Sequence, residues 1–221
     1  MKSSSPSADP LEQEYRRRYE EALLPTASAL KEHVRGILSI YHRIDRISAR
    51  AKGVASFVGK ANKQENGERK YSEPLSQIQD QIGCRVVTYF LDDVERIDQL
   101  IEKYFHYIEI KDHVPDSEWE FGYFGRHRIL LLPEDVINEG IDRDMVPRFF
   151  ELQIKTLFQH AWAEAEHDLG YKPGEKPLSS EQKRLLAFAS AQAWGADRVF
   201  NDLSSERTAL QAISRPATPR A

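Results

Sequence analysis

Asp80 and Glu151 are the acidic residues whose settings in the chain suggest chemistry. Asp80 lies in IQDQIGCRV, directly ahead of a β-branched run. Glu151 lies in RFFELQIKT, where Phe150, Leu152 and Ile154 share one strand face and Phe149, Glu151, Gln153 and Lys155 the other. A lone carboxylate on a strand is accounted for by solvent or an ion pair. Two carboxylates brought together from neighbouring strands could hold Mg²⁺, which takes one or two carboxylates plus substrate phosphates. One of them could also act as general base toward a hydroxyl. The basic residues Arg50, Lys52, Lys60 and Arg85 complement this acidic set. On a helix Lys52, Ser56 and Lys60 recur every fourth residue, which is either a solvated charged face or a row of donors for polyphosphate. Arginine planes would be free to stack on a base. Tyr123 follows a glycine and could stack on a nucleobase. Tyr123 and His127 also have ordinary readings, as a core tyrosine and a hydrogen-bonded histidine.

Phosphate binding here does not take the P-loop form. In KGVASFVGKA, five residues separate Gly53 from Gly59 where the P-loop has four, and Ala61 stands in place of the metal-binding hydroxyl. His167 and Asp168 are adjacent, but the further His and Asp ligands of a metal hydrolase are missing, so the pair is read as non-metallic. The net charge of −4 argues against broad nucleic-acid binding and leaves room only for a local patch. A single cysteine, Cys84, rules out an internal disulfide and fits a reducing, cytoplasmic setting. The polar start MKSSSPSADP has no apolar signal region, and no apolar run is long enough to span a membrane.

The elements that must position these residues form an alternating pattern. Residues 1–10 and the tail 205–221 are expected to be disordered or flexible. Residues 11 to about 63 look helical, with Pro25 dividing two helices, the second running from about Ala27; 62–74 reads as a loop. Strands are expected at 84–90, 106–111, 127–133 and 148–156. A helix should follow the first strand, opened by a capping box of Asp92 and Glu95 and burying Val94, Ile97, Leu100, Ile101 and Tyr104. Further helices are expected over LFQHAWAEAEHDLGY and 180–204. The fold class is therefore α+β, a mixed sheet flanked by helices, with helical extensions at both ends.

Taken together these stretches resemble the synthetase domain of the RelA/SpoT family, the alarmone synthetases. The family pattern R-x-K-S…S…K is met by Arg50, Lys52, Ser56 and Lys60, and D-x-x-G-x-R by Asp80, Gly83 and Arg85. G-Y-x-S-x-H is met by Gly122, Tyr123 and His127, and E-x-Q-I-R-T by ELQIKT. W-A-x-x-E-H…Y-K is met by Trp162, Ala163, Glu166, His167, Tyr171 and Lys172. The resemblance implies a nucleotidyltransferase-like sheet and a single synthetase domain over 11–204, with its catalytic core at about 46–175 and no hydrolase domain. It implies that Arg50 and Arg85 sandwich the adenine of ATP while Lys52, Ser56 and Lys60 hold its phosphates. Asp80 would bind Mg²⁺, with Glu151 sharing the metal or deprotonating the acceptor 3′-hydroxyl. Tyr123, His127 and Gln153 would receive the acceptor. The implied reaction moves the β,γ-pyrophosphate of ATP to the 3′-oxygen of GDP or GTP, and analogy with small family members adds a homo-oligomer.

The chain departs from the pattern at Gly53 and Gly125, where the family has serine. It departs again in DSEWEFGY, where Trp119 and Phe121 occupy lysine and asparagine places, with Glu118 and Glu120 around them. The second departure motivates an alternative reading. A toxic synthetase would modify adenine nucleotides or the tRNA 3′ end and would need an antitoxin partner, although the acidic balance disfavours a large tRNA footprint. A third reading, a catalytically silent nucleotide-binding module, is opposed by the presence of both Asp80 and Glu151.

Overall fold

The computed structural model describes residues 9–115, 117, 120–122, 125–170 and 177–214. Helix α1 (Pro10–Arg18) starts inside the tail expected to be disordered, because the Asp9 side chain accepts from the Leu11 N–H and caps it. It passes through a π-helical turn (Tyr19–Leu23) straight into α2 (Leu24–Ile37). Pro25 does not divide two helices as expected. It sits in the first turn of α2, and the π turn just upstream relieves the i→i−4 pairing that its ring cannot join.

The helix expected to continue to residue 63 gives way to strand β1 (Ile44–Ala51) and a short helix α3 (Val54–Ala61). In IDRISARA the burial alternates, with Ile47, Ala49 and Ala51 turned inward and Arg46, Ser48 and Arg50 outward. That is the period of a strand. Lys52 therefore lies in the junction after β1, and Gly53 is the N-cap of α3. Only Ser56 and Lys60 share the helix that was expected to carry all three polyphosphate donors.

Residues 62–74 hold a minimal hairpin rather than a plain loop. Strands β2 (Gln64–Glu65) and β3 (Glu68–Arg69) are joined through Asn66 and Gly67, whose φ values of 55° and 84° suit a tight hairpin turn. After α4 (Pro74–Gln77) come β4 (Ile82–Thr88), α5 (Leu91–Ile101), β5 (Tyr107–His113), β6 (Gly125–Leu131) and β7 (Phe149–Thr156). The chain continues through α6 (Leu157–Gly170) and α7 (Ser180–Ser214). The expected capping box is not formed. Phe90 is the N-cap of α5, and Asp92 instead accepts from Asn201 and Ser205 of α7. Because α5 stops at Ile101, Tyr104 leaves the buried face and is 60% exposed, while Phe105 takes its place in the core. Helix α7 runs through 205–214, which was expected to be tail; SERTALQAIS is polar yet made largely of helix-compatible residues.

The strands form one five-stranded sheet in the order β1-β4-β7-β6-β5, with β4 and β7 parallel and every other pair antiparallel. The fold is thus α+β, as expected. Leu30 and Val34 of α2 and Ile97 and Ile101 of α5 join Val86, Phe150, Leu152 and Ile154 in the core on one face of the sheet. Tyr15 of α1 belongs to the same core and stacks on Phe57 of α3 at 3.6 Å between ring centroids. Among the described residues, no helix is long and apolar enough to cross a membrane.

Candidate active site

Strand register gathers the polar residues on the face away from α2 and α5. Ser48, Arg85, Gln153 and His127 are register partners in turn across β1, β4, β7 and β6. The adjacent row runs Arg50, Gly83, Glu151 and Ile129. Side chains in register lie on one face, so residues far apart in sequence meet without any loop having to place them. Helices α3 and α6 flank these rows and enclose a cleft of about 500 Å³. Arg50, Lys52, Ser56, Asp80, Arg85, Glu151 and Gln153 all line it.

Asp80 sits in the turn before β4 between two ammonium groups. Lys52 Nζ donates to Oδ2 at 2.9 Å, and Lys60 Nζ lies 3.0 Å from Oδ1. Burial alone would push the carboxyl pKa up. The two lysines outweigh it and hold the group below its ordinary value, so Asp80 is ionised at neutral pH. The Lys52 backbone is fixed on both sides, its N–H donating to the Gln81 carbonyl at 2.8 Å and its carbonyl accepting from the Tyr15 hydroxyl at 2.8 Å. Gly53 offers no side chain to cap α3. The first-turn N–H groups of that helix therefore have no capping acceptor and point their partial positive charge outward.

Glu151 is held by its neighbours in register. His127 Nδ1 is 2.9 Å from Oε1, and Gln153 Nε2 donates to Oε2 at 2.8 Å. An ionised carboxylate can only accept, so Nδ1 carries the proton in this contact. Burial opposes ionisation, but the hydrogen bond and charge of His127, the Gln153 amide and the charge of Lys60 bring the pKa down to about 2. Lys60 thus acts on both carboxylates. His113 packs edge-on against His127 with ring centroids 4.4 Å apart.

Arg85 is fixed from three sides. Its Nε donates to Gln153 Oε1 at 3.3 Å, and Nη1 meets His160 Nδ1 at 3.2 Å and Glu164 Oε1 at 2.5 Å. Its guanidinium is thereby held in place at the cleft wall. Lys155, two residues beyond Gln153 on the same face, is almost fully buried. Burial and the Arg85 charge pull its pKa down to about 7, against the pull of Glu164 and Glu151.

The structure therefore brings nine of the ten residues named from sequence into one neighbourhood, Lys60 through Asp80 and His127 through Glu151. The tenth, Tyr123, lies outside the described residues, as do Glu118, Trp119, Tyr171 and Lys172. Sequence reasoning missed several cleft residues, among them Arg46, Ser48, His160 and Glu164. His160 and Glu164 face Arg85 from α6, and with His167 they recur at spacings of four and three along one helical face. That polar stripe was visible, but of its three residues only His167 was singled out. Trp162, on the other side of α6, donates its indole N–H to the Leu186 carbonyl of α7 at 3.0 Å.

Residues 49–176 match the family model described as the region found in RelA/SpoT proteins. Over 210 residues the chain is 29% identical to GTP pyrophosphokinase YjbM of Bacillus subtilis, covering 89% of this chain and 93% of that one. Over 154 residues it is 25% identical to GTP pyrophosphokinase YwaC of the same organism, covering 67% and 70% of the two chains. Among solved structures, small alarmone synthetase 1 from Bacillus subtilis superposes with a TM-score of 0.65 at 25% identity, over 90% of this chain and 96% of that one.

Proposed function

The chain belongs to the RelA/SpoT family, and on that premise we propose that it is a GTP pyrophosphokinase. It transfers the β,γ-pyrophosphate of ATP to the ribose 3′-hydroxyl of GDP or GTP, producing (p)ppGpp and AMP. The observation that carries this reading is the pair of ionised carboxylates on one sheet face, Asp80 among lysines and Glu151 beside a histidine and a glutamine, in a cleft also lined by Arg50 and Arg85.

Each side chain has work suited to it. Arg50 and Arg85 present planar cations to the adenine, and the contacts of Arg85 to Gln153 and Glu164 set its plane before ATP arrives. Lys52, Lys60, the Ser56 hydroxyl and the uncapped start of α3 offer positive charge and donors to the phosphates. Gly53, where the family has serine, removes a side-chain acceptor that would compete for those N–H groups. His127, Gln153 and Tyr123 form the acceptor side. Glu151 accepts the hydrogen bond of the 3′-hydroxyl and fixes its line of attack on the β-phosphorus. The new 3′-O–P bond forms as the bond from the β-phosphorus to the bridging oxygen breaks, and AMP leaves with that oxygen. With a pKa near 2, Glu151 takes the hydroxyl proton late, once the forming bond has acidified it.

The donor set also fits Mg²⁺. Asp80 and Glu151 are ionised oxygen ligands whose present partners, the Lys52 and Lys60 ammonium groups and the His127 N–H, are cations or donors that a metal can displace. Bound there, the ion would neutralise charge on the transferring phosphates. The reading of 11–204 as one synthetase unit is supported by α1 and α2 sharing a core with the sheet, and by the ties of α7 to α5. A cytoplasmic setting fits the buried, unpaired Cys84. A homo-oligomer fits the exposed apolar residues of α7, Leu185, Phe188 and Leu203 among them.

The test is acceptor competition. Purified protein, Mg²⁺ and γ-labelled ATP are offered GDP, GTP, ADP, ATP and deacylated tRNA in separate reactions. Label is expected on GDP or GTP with stoichiometric AMP. Label only on adenine nucleotides or tRNA would replace this function with the toxin reading, and nucleotide binding without turnover would leave a silent module.

A further inference from the structure

The segment at Phe121 and Gly122, which leads toward strand β6, is fastened to helix α7, none of whose described residues lines the cleft. Ser190 of α7, 2% exposed, donates its hydroxyl to the Gly122 carbonyl at 2.6 Å. One turn along, Trp194 meets Phe121 edge-to-face at 5.8 Å between ring centroids. Beside these two contacts lies a cavity of about 390 Å³ bounded by Gly122, Trp162, Ser190 and Trp194.

The carbonyl that Ser190 holds belongs to the peptide joining Gly122 to Tyr123. A peptide is planar, so fixing its oxygen orients the unit at Gly122. Helix α7 is in turn fixed to the strand that carries Glu151. Thr156 at the end of β7 donates to Asp197 Oδ2 at 2.7 Å, and Trp162 binds the Leu186 carbonyl. Ser190, Trp194 and Asp197 are spaced four and three apart, on one side of the helix. One face of α7 therefore refers both the segment before Tyr123 and strand β7 to a common frame.

We infer that Ser190 and Trp194 are positioning residues for the acceptor, setting the Phe121–Gly122 segment relative to Glu151 without touching substrate. The inference rests on the guanine-nucleotide acceptor reading. It explains how Phe121, in a place where the family has asparagine, can serve the site: its ring provides the anchor on Trp194.

The experiment uses the full chain and four variants, Ser190→Ala, Ser190→Thr, Trp194→Ala and Asn201→Ala. Asn201 ties α7 to Asp92 and does not meet the segment, so it controls for a general loosening of the helix. Ser190→Ala and Trp194→Ala should each raise the acceptor KM about 3- to 10-fold, the range of one lost hydrogen bond or ring contact, with the ATP KM unchanged. Ser190→Thr, which keeps the hydroxyl, should restore the acceptor KM. Hydrogen exchange of a peptide spanning 113–126, read without any nucleotide, should quicken in both alanine variants and stay at the parent rate in Asn201→Ala. Unchanged exchange in Ser190→Ala and Trp194→Ala overturns the fastening whatever the kinetics. Equal changes in both KM values, or the same acceptor defect in Asn201→Ala, overturn the positioning role. A parent protein that labels no guanine nucleotide overturns the function instead, and with it the acceptor meaning of the contacts.

Discussion

The donor and acceptor sides of Glu151 are built by different means. On the donor side the groups are set by one another and by the elements that line the cleft. The β1–β4 pairing aligns Arg50 and Ser48 against Gly83 and Arg85, and opposite charges hold Lys52, Asp80 and Lys60 together. On the acceptor side the segment at Phe121 and Gly122 is tied to Trp194 and to Ser190, the latter 68 residues along the chain. The donor side is preorganised by its own charges, which must exchange partners when a nucleotide arrives. The acceptor side borrows its geometry from a helix outside the cleft. Changes near the donor should therefore act through charge, while changes remote from the acceptor should act through position.

The sharpest break in this comparison comes at the point where the two sides meet. Glu151→Gln keeps the shape and the neighbours but removes the anionic acceptor for the 3′-hydroxyl. Transfer should fall by about 10²- to 10⁴-fold, while ATP binding by calorimetry stays near the parent value. The native carboxylate loses its charge only as pH falls through about 2. Any acid limb in the rate between pH 5 and 7 must then come from another group. A variant with full activity would remove Glu151 from the site.

A smaller effect is expected on the donor side alone. Lys52→Ala deletes a charge-assisted hydrogen bond to Asp80 and a cation facing the phosphates. The ATP KM should rise by about tenfold to a hundredfold, with the acceptor KM held within about twofold of the parent. Initial rates over a grid of both substrates would show it. Equal movement of both constants would mean that the two sides act as one, and the contrast with Ser190→Ala would fail.

Legibility from sequence followed the same division. The alternation in RFFELQIKT revealed β7 and the polar face carrying Glu151, because Phe150, Leu152 and Ile154 are large enough to mark the buried side. Strand β1 was misread as helix. Its inward residues include Ala49 and Ala51, too small to signal burial, among Arg46, Arg50 and Asp45. The grouping of Lys52, Ser56 and Lys60 nevertheless holds for a reason other than helical spacing: a strand end and a helix start meet at Gly53. The contact of His127 with Glu151 depends on β6 lying beside β7, which strand order determines and local pattern does not. His160 and Glu164 escaped for a similar reason. Their value comes from Arg85, which reaches them from a different element.

The gentlest test of the comparison concerns Asp197, where α7 is anchored to β7. The residue is 2% exposed, and Oδ1 has no hydrogen-bond partner among the described residues. Burial pushes its pKa up to about 6, only partly offset by the Thr156 hydroxyl on Oδ2. A carboxyl whose pKa is raised on folding favours the folded state most when protonated. Its contribution is complete below the unfolded value of about 4 and is lost as pH rises through about 6. At pH 7.5 the charged form should therefore cost on the order of 1–3 kcal/mol. Asp197→Asn is neutral throughout and can still accept from Thr156. Its melting temperature should exceed the parent's at pH 7.5, match it near pH 4.5, and lack the parent's decline between those values. Asp93 is also buried with a raised pKa, but it is present in both proteins and cancels in the difference. Because the amide keeps α7 in place, the acceptor KM should stay near the parent value. A lower melting temperature at pH 7.5 would show that the buried charge stabilises the anchor. A shifted acceptor KM without loss of stability would mean that α7 acts on the acceptor through charge and not through position.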